Sequence, residues 1–298
     1  SDNGIAKPNV IKADWDTFSK FIIPHIGKIK LQQITKRGVY FFLDKLREQM
    51  NDNGVPYSKK TYMSAWSLFK SSMRCAYRLG FVSENVCDLV VPNFPLARPP
   101  REKKSLSKED AAKLLSEAEK QDERVYFMMC CLCILGLRSA ELKALTWADL
   151  DFSNNSIRIN KSHHRGYTHK STKNGTSFDS PMIGLVRNAA EKYFLRYGKS
   201  SKPNDLLFPS IRSNTYMDNS YIRKVIHKCC DNAGIERISP HDCRRSANTI
   251  LLLSQVSPEI CRKVLNHKSS EMTNHYTQLS TKQAEVVLEG VWSEIITN

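Results

Sequence analysis

The sequence lacks the features that mark membrane-spanning, secreted and repetitive proteins. No apolar run among its 298 residues approaches the roughly 20 residues that a membrane-spanning helix needs. No positively charged leader with an apolar core precedes the first helical pattern, and we find no internal repeat or low-complexity tract. We therefore expect a globular protein of about two domains without a membrane partner, and the initial Ser suggests that N-terminal sequence is missing.

The cysteines do not form a pattern typical of disulfides. Their number, nine, is odd, and Cys130, Cys131 and Cys133 lie inside an apolar run, where core packing explains them better than metal binding. A second cysteine pair at zinc-site spacing is also missing. Reduced thiols of this kind are typical of proteins in the cytoplasm, which is where we expect this chain to act.

Acidic residues are scarce relative to basic ones. Thirty Asp and Glu stand against 45 Lys and Arg, which gives a net charge of +15 and a pI near 9.4. Such a balance favours a polyanionic partner, above all a nucleic acid, although positive charge also serves solubility alone.

Helical periodicity and proline placement divide the chain into two domains. Apolar residues recur at helical spacing through Val39–Met50 and Tyr62–Tyr77, which predicts a helical domain over residues 1–93. Prolines at 95, 99 and 100 then prevent helix propagation, so we place a linker at 94–105. Ser107, followed by Asp110, begins the first helix of a second domain over 106–280.

The second domain combines helices with a small β element. Residues 156–160 and 177–183 alternate like strands around a long polar segment, while helical patterns occupy 122–136 and 139–146 and resume at 185–197, 218–233, 242–254, 257–265 and 282–296. The predicted fold class is mainly α with a small β-sheet or hairpin.

Three short segments carry residues suited to phosphate chemistry. His241 and Arg244 lie three residues apart at the start of a predicted helix, so both can reach one phosphate. Arg138 lies at a helix boundary in the sequence Gly-Leu-Arg-Ser-Ala-Glu-Leu, and Leu-Asn-His267 is followed nine residues later by Tyr276. Each segment alone is weak, because a surface charge or a half-buried aromatic residue explains it equally well.

In this order and spacing, the segments resemble those of the tyrosine recombinase family, also called the phage integrase family, over nearly the whole chain. The resemblance implies catalytic roles for Arg138, His241, Arg244 and His267, with Tyr276 as the nucleophile and Glu141 supporting Arg138. The family also carries a lysine on a β-hairpin. We assign this role to Lys173 and keep Lys170 as the alternative.

Two positions depart from the family pattern. Asn266 replaces the usual glycine before the second histidine, and Asp179 replaces a basic residue that is common in the hairpin. The first change can alter the turn that positions His267, and the second removes one phosphate contact.

The chemistry explains why these residue types are needed. An in-line attack on a phosphodiester adds negative charge that fixed guanidinium groups can bind through paired hydrogen bonds. The phenol of Tyr276, with an ordinary pKa of about 10, needs a proton acceptor such as His241. A lysine on the hairpin can protonate the leaving 5′ oxygen, so the mechanism requires neither a metal nor a cofactor. A two-metal nuclease is disfavoured because Glu141 and Asp242 are isolated carboxylates, and we expect the clustered His163, His164 and His169 to be solvated or to face DNA.

The resemblance implies a helical core-DNA-binding domain and a catalytic domain that form a C-shaped clamp around double-stranded attachment DNA. It further implies a homotetramer on DNA that acts through a Holliday junction, with accessory DNA-bending proteins as further partners. A phage or conjugative-transposon integrase without its N-terminal arm-binding domain, active in the bacterial cytoplasm at the nucleoid, fits best. We expect phosphate contacts from basic residues of both domains and of the linker: Lys36, Arg37, Lys59, Lys60, Lys70, Arg74, Arg78, Lys103, Lys104 and Arg245.

Three questions stay open at this point. The apolar stripe in the C-terminal helix at 281–298 can dock on its own domain or on a neighbouring protomer. A type IB topoisomerase shares the same active-site chemistry, and a catalytically silent DNA-binding regulator shares the same scaffold.

Overall fold

The computed structural model describes residues 8–94, 104–164, 166–169, 177–266 and 281–296. The chain divides into two compact units, residues 1–102 (unit 1) and residues 103–298 (unit 2). The described part of unit 1 is helical, whereas the described part of unit 2 combines helices with five short strands.

Residues 8–94 of unit 1 contain four α-helices: α1 (Pro8–Phe21), α2 (Ile23–Ile26), α3 (Lys36–Glu48) and α4 (Lys59–Arg78). Thr35 and Ser58 cap α3 and α4 by accepting hydrogen bonds from the backbone of the first turn, which supplies otherwise unpaired N–H groups with acceptors. The apolar stripes predicted for α3 and α4 are buried in the core of unit 1. Their buried residues are Val39, Phe42, Leu43 and Leu46 on α3 and Tyr62, Ala65, Trp66, Phe69, Met73 and Ala76 on α4.

The buried stripes of α3 and α4 are each one residue shorter than the sequence pattern indicates. Helix α3 ends at Glu48, so Met50 lies beyond it, pairs with Pro56 in an isolated bridge and is exposed. Tyr77 belongs to α4 but is half exposed rather than buried. Periodicity alone therefore extended both buried stripes by one residue.

Unit 2 begins with α5 (Lys108–Glu119), α6 (Glu123–Cys133) and α7 (Ser139–Ala144). Ser107 caps α5 by accepting from the Asp110 backbone, as the sequence predicts. Helix α6 is buried from Val125 to Cys133, because α5, α8 and α10 pack around it. The three cysteines of this helix therefore belong to the core.

The β element consists of strands β1 (Leu150–Asp151), β2 (Ser156–Ile159), β3 (Ser162–His164), β4 (Tyr167–His169) and β5 (Phe178–Pro181). A three-stranded antiparallel sheet has the order β1-β2-β5, with Ile157 opposite Ser180. Strands β3 and β4 form a separate hairpin. This hairpin lies in the long polar segment for which the sequence pattern predicted no strands of its own. His163 on β3 stacks on Tyr216 with ring centroids 3.6 Å apart, and this ring contact from a distant segment helps to hold the hairpin.

The remaining helices are α8 (Gly184–Tyr193), which continues as one π-helical turn to Gly198, α9 (Asn219–Asn232), α10 (Pro240–Leu253), α11 (Pro258–Val264) and α12 (Thr281–Ile296). They enclose the core of unit 2 together with α5 and α6. None of the helices in the described ranges is long and apolar enough to cross a membrane.

Helix α12 packs against its own unit. Leu288, Val291 and Trp292 are buried in the core of unit 2, where α12 contacts β5 and α5. The Glu289 carboxylate accepts from the Gly184 amide at 2.8 Å, which places a negative charge at the N-terminus of α8. Of the two docking modes left open by the sequence, the structure of this single chain therefore shows docking on the same domain.

Candidate active site

Arg138 is positioned by a tight turn between α6 and α7. Gly136 adopts a φ of +61°, in the left-handed region, and a Cβ atom there would lie 2.7 Å from Cδ2 of Leu265. A residue with a side chain would therefore be both strained and crowded at this position. Arg138 follows as the N-cap of α7, so the helix begins one residue after the arginine, at Ser139.

Glu141 fixes both the backbone and the side chain of Arg138. Its carboxylate accepts from the Arg138 amide at 2.8 Å and from the guanidinium Nη1 at 2.7 Å. Glu141 is buried, whereas the Arg138 side chain is 25% exposed. The pair thus presents a fixed guanidinium group to solvent at the start of a helix, as an anion-binding residue requires.

Helix α10 presents His241 and Arg244 from its first turns. Ser239 and Asp242 form a reciprocal capping box, and Pro240 occupies the first helical position, where its missing N–H costs nothing. The Ser-x-x-Asp spacing that signals this box is visible in the sequence, but our sequence reasoning did not use it. His241 is exposed, whereas Arg244 is almost fully buried.

Arg244 joins three of the sequence motifs. Its Nη1 donates to the Gly136 carbonyl at 2.5 Å, and its Nη2 donates to the carbonyls of Leu265 and Asn266. The guanidinium therefore ties the turn before Arg138 to the end of α11. Asn266 has a φ of +48°, so it adopts the left-handed conformation that the usual glycine would favour and that asparagine tolerates better than most residues.

Positive charge and burial shift the pKa values of this cluster in one direction. Burial lowers the pKa of Arg244 to about 10, with repulsion from Arg138 as a second cause, so the group stays charged at neutral pH. Partial desolvation lowers the pKa of His241 although its side chain is exposed, and repulsion from Arg245, Arg244 and Arg138 adds to this effect. The lowered pKa favours the neutral imidazole, the form that can accept a proton.

The remaining predicted catalytic residues lie outside the described residues. These are Lys173 with its alternative Lys170, His267 and the nucleophile Tyr276. The structure thus brings together Arg138, His241 and Arg244, and the catalytic roles assigned to all six residues stay predictions. In the described part of the chain, no group of three or more His, Cys, Asp or Glu side chains is arranged to hold a metal ion.

The predicted DNA contacts fall into two groups. Lys36, Arg37, Lys59, Lys60 and Arg78 are exposed on α3 and α4 of unit 1, while Lys70 and Arg74 lie near Asp88, at 2.9 and 3.7 Å. In unit 2, Lys104 pairs with Glu236, and Arg245 binds Asp242 at 2.6 Å, whereas Lys103 is outside the described residues. The sequence did not reveal these internal partners.

Known proteins resemble this chain over much of its length. The phage integrase family model matches residues 104–283. The tyrosine recombinase XerD of Vibrio cholerae is 25% identical over 268 residues, which cover 86% of this chain and 81% of XerD. The XerC recombinase of Bifidobacterium longum is 27% identical over 187 residues, which cover 59% of this chain and 48% of XerC. The chain therefore spans about half the length of the first curated relatives it matches.

Solved structures share the fold at lower sequence identity. The Tn1549 transposon integrase in complex with circular intermediate DNA has a TM-score of 0.70 at 19% identity, covering 96% of this chain and 95% of that one. The lambda integrase dimer bound to a core site has a TM-score of 0.65 at 15% identity, covering 90% and 88%. The family model matches more than half of the residues of this chain, and the matched range contains Arg138, His241 and Arg244. The chain therefore belongs to the phage integrase family.

Proposed function

We propose that this protein is a site-specific DNA recombinase that cleaves and rejoins double-stranded DNA through a 3′-phosphotyrosyl intermediate on Tyr276. The observation that carries the proposal is the convergence of Arg138, His241 and Arg244 on one site, with Arg244 bonded to the carbonyl two residues before Arg138. Two guanidinium groups beside a neutral histidine suit a phosphodiester and a phenol that must lose its proton.

Each residue has a distinct role in the proposed reaction. Arg138 and Arg244 bind the non-bridging oxygens of the scissile phosphate and stabilise the charge that develops as the tyrosine oxygen attacks. His241 accepts the phenolic proton of Tyr276, His267 adds a hydrogen bond to the phosphate, and Lys173 protonates the departing 5′ oxygen. The phosphotyrosyl bond conserves the energy of the broken phosphodiester, so a different 5′-hydroxyl can displace the tyrosine without ATP.

Unit 1 supplies the second DNA-binding surface in this proposal. Lys36, Arg37, Lys59, Lys60 and Arg78 are exposed there and can neutralise phosphates without sequence preference. The Tn1549 and lambda integrase structures, both in complex with DNA, support a DNA partner. We extend this to attachment sites of a mobile element, to a tetramer that acts through a Holliday junction, and to accessory DNA-bending proteins. The comparisons do not favour the topoisomerase or the silent regulator.

The test is a covalent trapping experiment. The protein is incubated in excess EDTA with nicked duplexes tiled across candidate attachment DNA, and products are separated under denaturing conditions. We expect a covalent protein–DNA adduct that disappears in Tyr276→Phe. Binding without an adduct on a verified site would instead support the silent regulator, and supercoil relaxation without recombinant junctions would support the topoisomerase.

A further inference from the structure

The first residues of unit 2 are hydrogen-bonded to the helix that carries His241 and Arg244. The Leu106 amide donates to Ser246 Oγ at 2.8 Å, and the same hydroxyl donates to the Asp242 carbonyl at 2.8 Å. Ser246 and Leu106 are both buried, so neither group has water as an alternative partner. A single buried hydroxyl therefore joins the chain at 106 to α10.

Arg245 makes a second connection to the same segment. Its Nη1 donates to the Lys104 carbonyl at 3.1 Å and to Asp242 Oδ1 at 2.6 Å. Asp242 Oδ2 in turn accepts from the Ser239 amide at 2.9 Å and from its hydroxyl at 2.6 Å. The guanidinium therefore bridges residue 104 and the capping box that begins α10.

We propose that Arg245 and Ser246 are positioning residues that fix residues 104–106 to the first turns of α10 and thereby hold His241 and Arg244 in place. This inference rests on the proposed function, and it replaces the phosphate contact that the sequence predicted for Arg245. We call residues 104–106, Arg245 and Ser246 the entry clamp. Because both bonded residues directly follow Arg244 on α10, a displacement of residues 104–106 is transmitted to the catalytic pair within one helical turn.

The position of Arg245 also places its charge beside His241. The two residues are four apart on α10 and are therefore neighbours on its surface. Among the described residues, the charged groups that act on His241 are Arg245, Arg244 and Asp242 from α10 and Arg138 from the start of α7. Among them Arg245 contributes the largest repulsion, which lowers the pKa of His241 in addition to the effect of burial.

Salt dependence of DNA binding separates an internal role of Arg245 from a phosphate contact. The probe is a 30-base-pair duplex of arbitrary sequence, and the test variant is Arg245→Gln. Lys199 is an exposed residue of unit 2, so Lys199→Gln controls for the loss of one positive charge. A lost phosphate contact lowers the slope of log affinity against log salt by about 0.9. We expect Arg245→Gln to keep the slope of the wild-type protein.

Hydrogen exchange tests the contacts of the entry clamp directly. In Ser246→Ala the Leu106 amide loses its acceptor, and we expect residues 104–107 to exchange roughly fivefold faster, the factor for a typical net hydrogen bond. Arg245→Gln should produce a similar increase at residues 104 and 105, whereas Lys199→Gln should leave these amides unchanged.

A pH profile of adduct formation on the nicked duplexes provides a readout that a purely structural role would not move. Arg245→Gln removes a positive charge beside His241, so the pKa of His241 rises and the acid limb of the profile moves to higher pH. Arg245→Lys restores the charge and should return the acid limb toward its original position. A lower salt slope in Arg245→Gln, together with unchanged hydrogen exchange at residues 104 and 105, would refute the entry-clamp proposal. If the wild-type protein forms no adduct, the recombinase proposal fails. Hydrogen exchange and the salt slope do not require adduct formation, so they still test the entry-clamp proposal.

Discussion

Gly136→Ala tests whether the turn before Arg138 holds the active site together. The new methyl group would enter a backbone conformation with φ at +61°, which costs an L-residue about 1–2 kcal/mol. It would also lie 2.7 Å from Cδ2 of Leu265, a buried side chain whose displacement in a packed core costs about 1–3 kcal/mol. We therefore expect the free energy of unfolding to fall by roughly 2–5 kcal/mol.

Gly234→Ala is the matched control for this substitution. Gly234 also has a positive φ, +66°, but an added Cβ would meet no atom of the described residues within 4 Å. Only the conformational cost of about 1–2 kcal/mol should apply there. The difference between the two variants then isolates the contact with Leu265.

The assays are urea unfolding and adduct formation on nicked duplexes under native conditions. Leu265 and Gly136 both supply carbonyls to Arg244, so moving one relative to the other misplaces the guanidinium, and we expect roughly 100-fold slower adduct formation in Gly136→Ala. Gly234→Ala should react like the wild-type protein. Equal destabilisation of the two variants with equal activity would refute the argument.

Three further predictions concern the arginine support, the C-terminal helix and the proton acceptor. Glu141→Gln removes the charge-assisted bond to Arg138, so we expect a loss of about 1–3 kcal/mol in the free energy of unfolding and slower adduct formation, measured by urea unfolding and trapping; unchanged values of both would contradict the pairing. Leu288→Ala should cost about 2–5 kcal/mol at every protein concentration because Leu288 is buried in its own unit, whereas Val286→Ala, at a position 68% exposed, should stay within about 0.5 kcal/mol. A cost for Leu288→Ala that appears only at concentrations where the protein self-associates would indicate docking on a second copy. His241 must be neutral to accept a proton, and its pKa is lowered from 6.5, so the acid limb of adduct formation should lie below pH 6.5; a limb above that value would assign the proton transfer to another group.

Elements with local signals could be predicted from the amino-acid sequence. Helices α3 and α4 follow from apolar periodicity, and α5 follows from apolar periodicity and from Ser107 as its cap, because an amphipathic face and a capping side chain act within a few residues. The motifs around Arg138 and His241 were weak alone and became recognisable only through their joint resemblance, in order and spacing, to the tyrosine recombinase family.

Tertiary structure decided what depends on residues far apart in the chain. The β3–β4 hairpin lies in a polar segment without clear alternation, and its contact with Tyr216 comes from about 50 residues away. The internal role of Arg245 depends on the Lys104 carbonyl, and the placement of α12 depends on Gly184 and the core of unit 2. A charge or an apolar stripe in a sequence shows that a partner is needed, but only the folded chain shows which partner comes within hydrogen-bonding or packing distance.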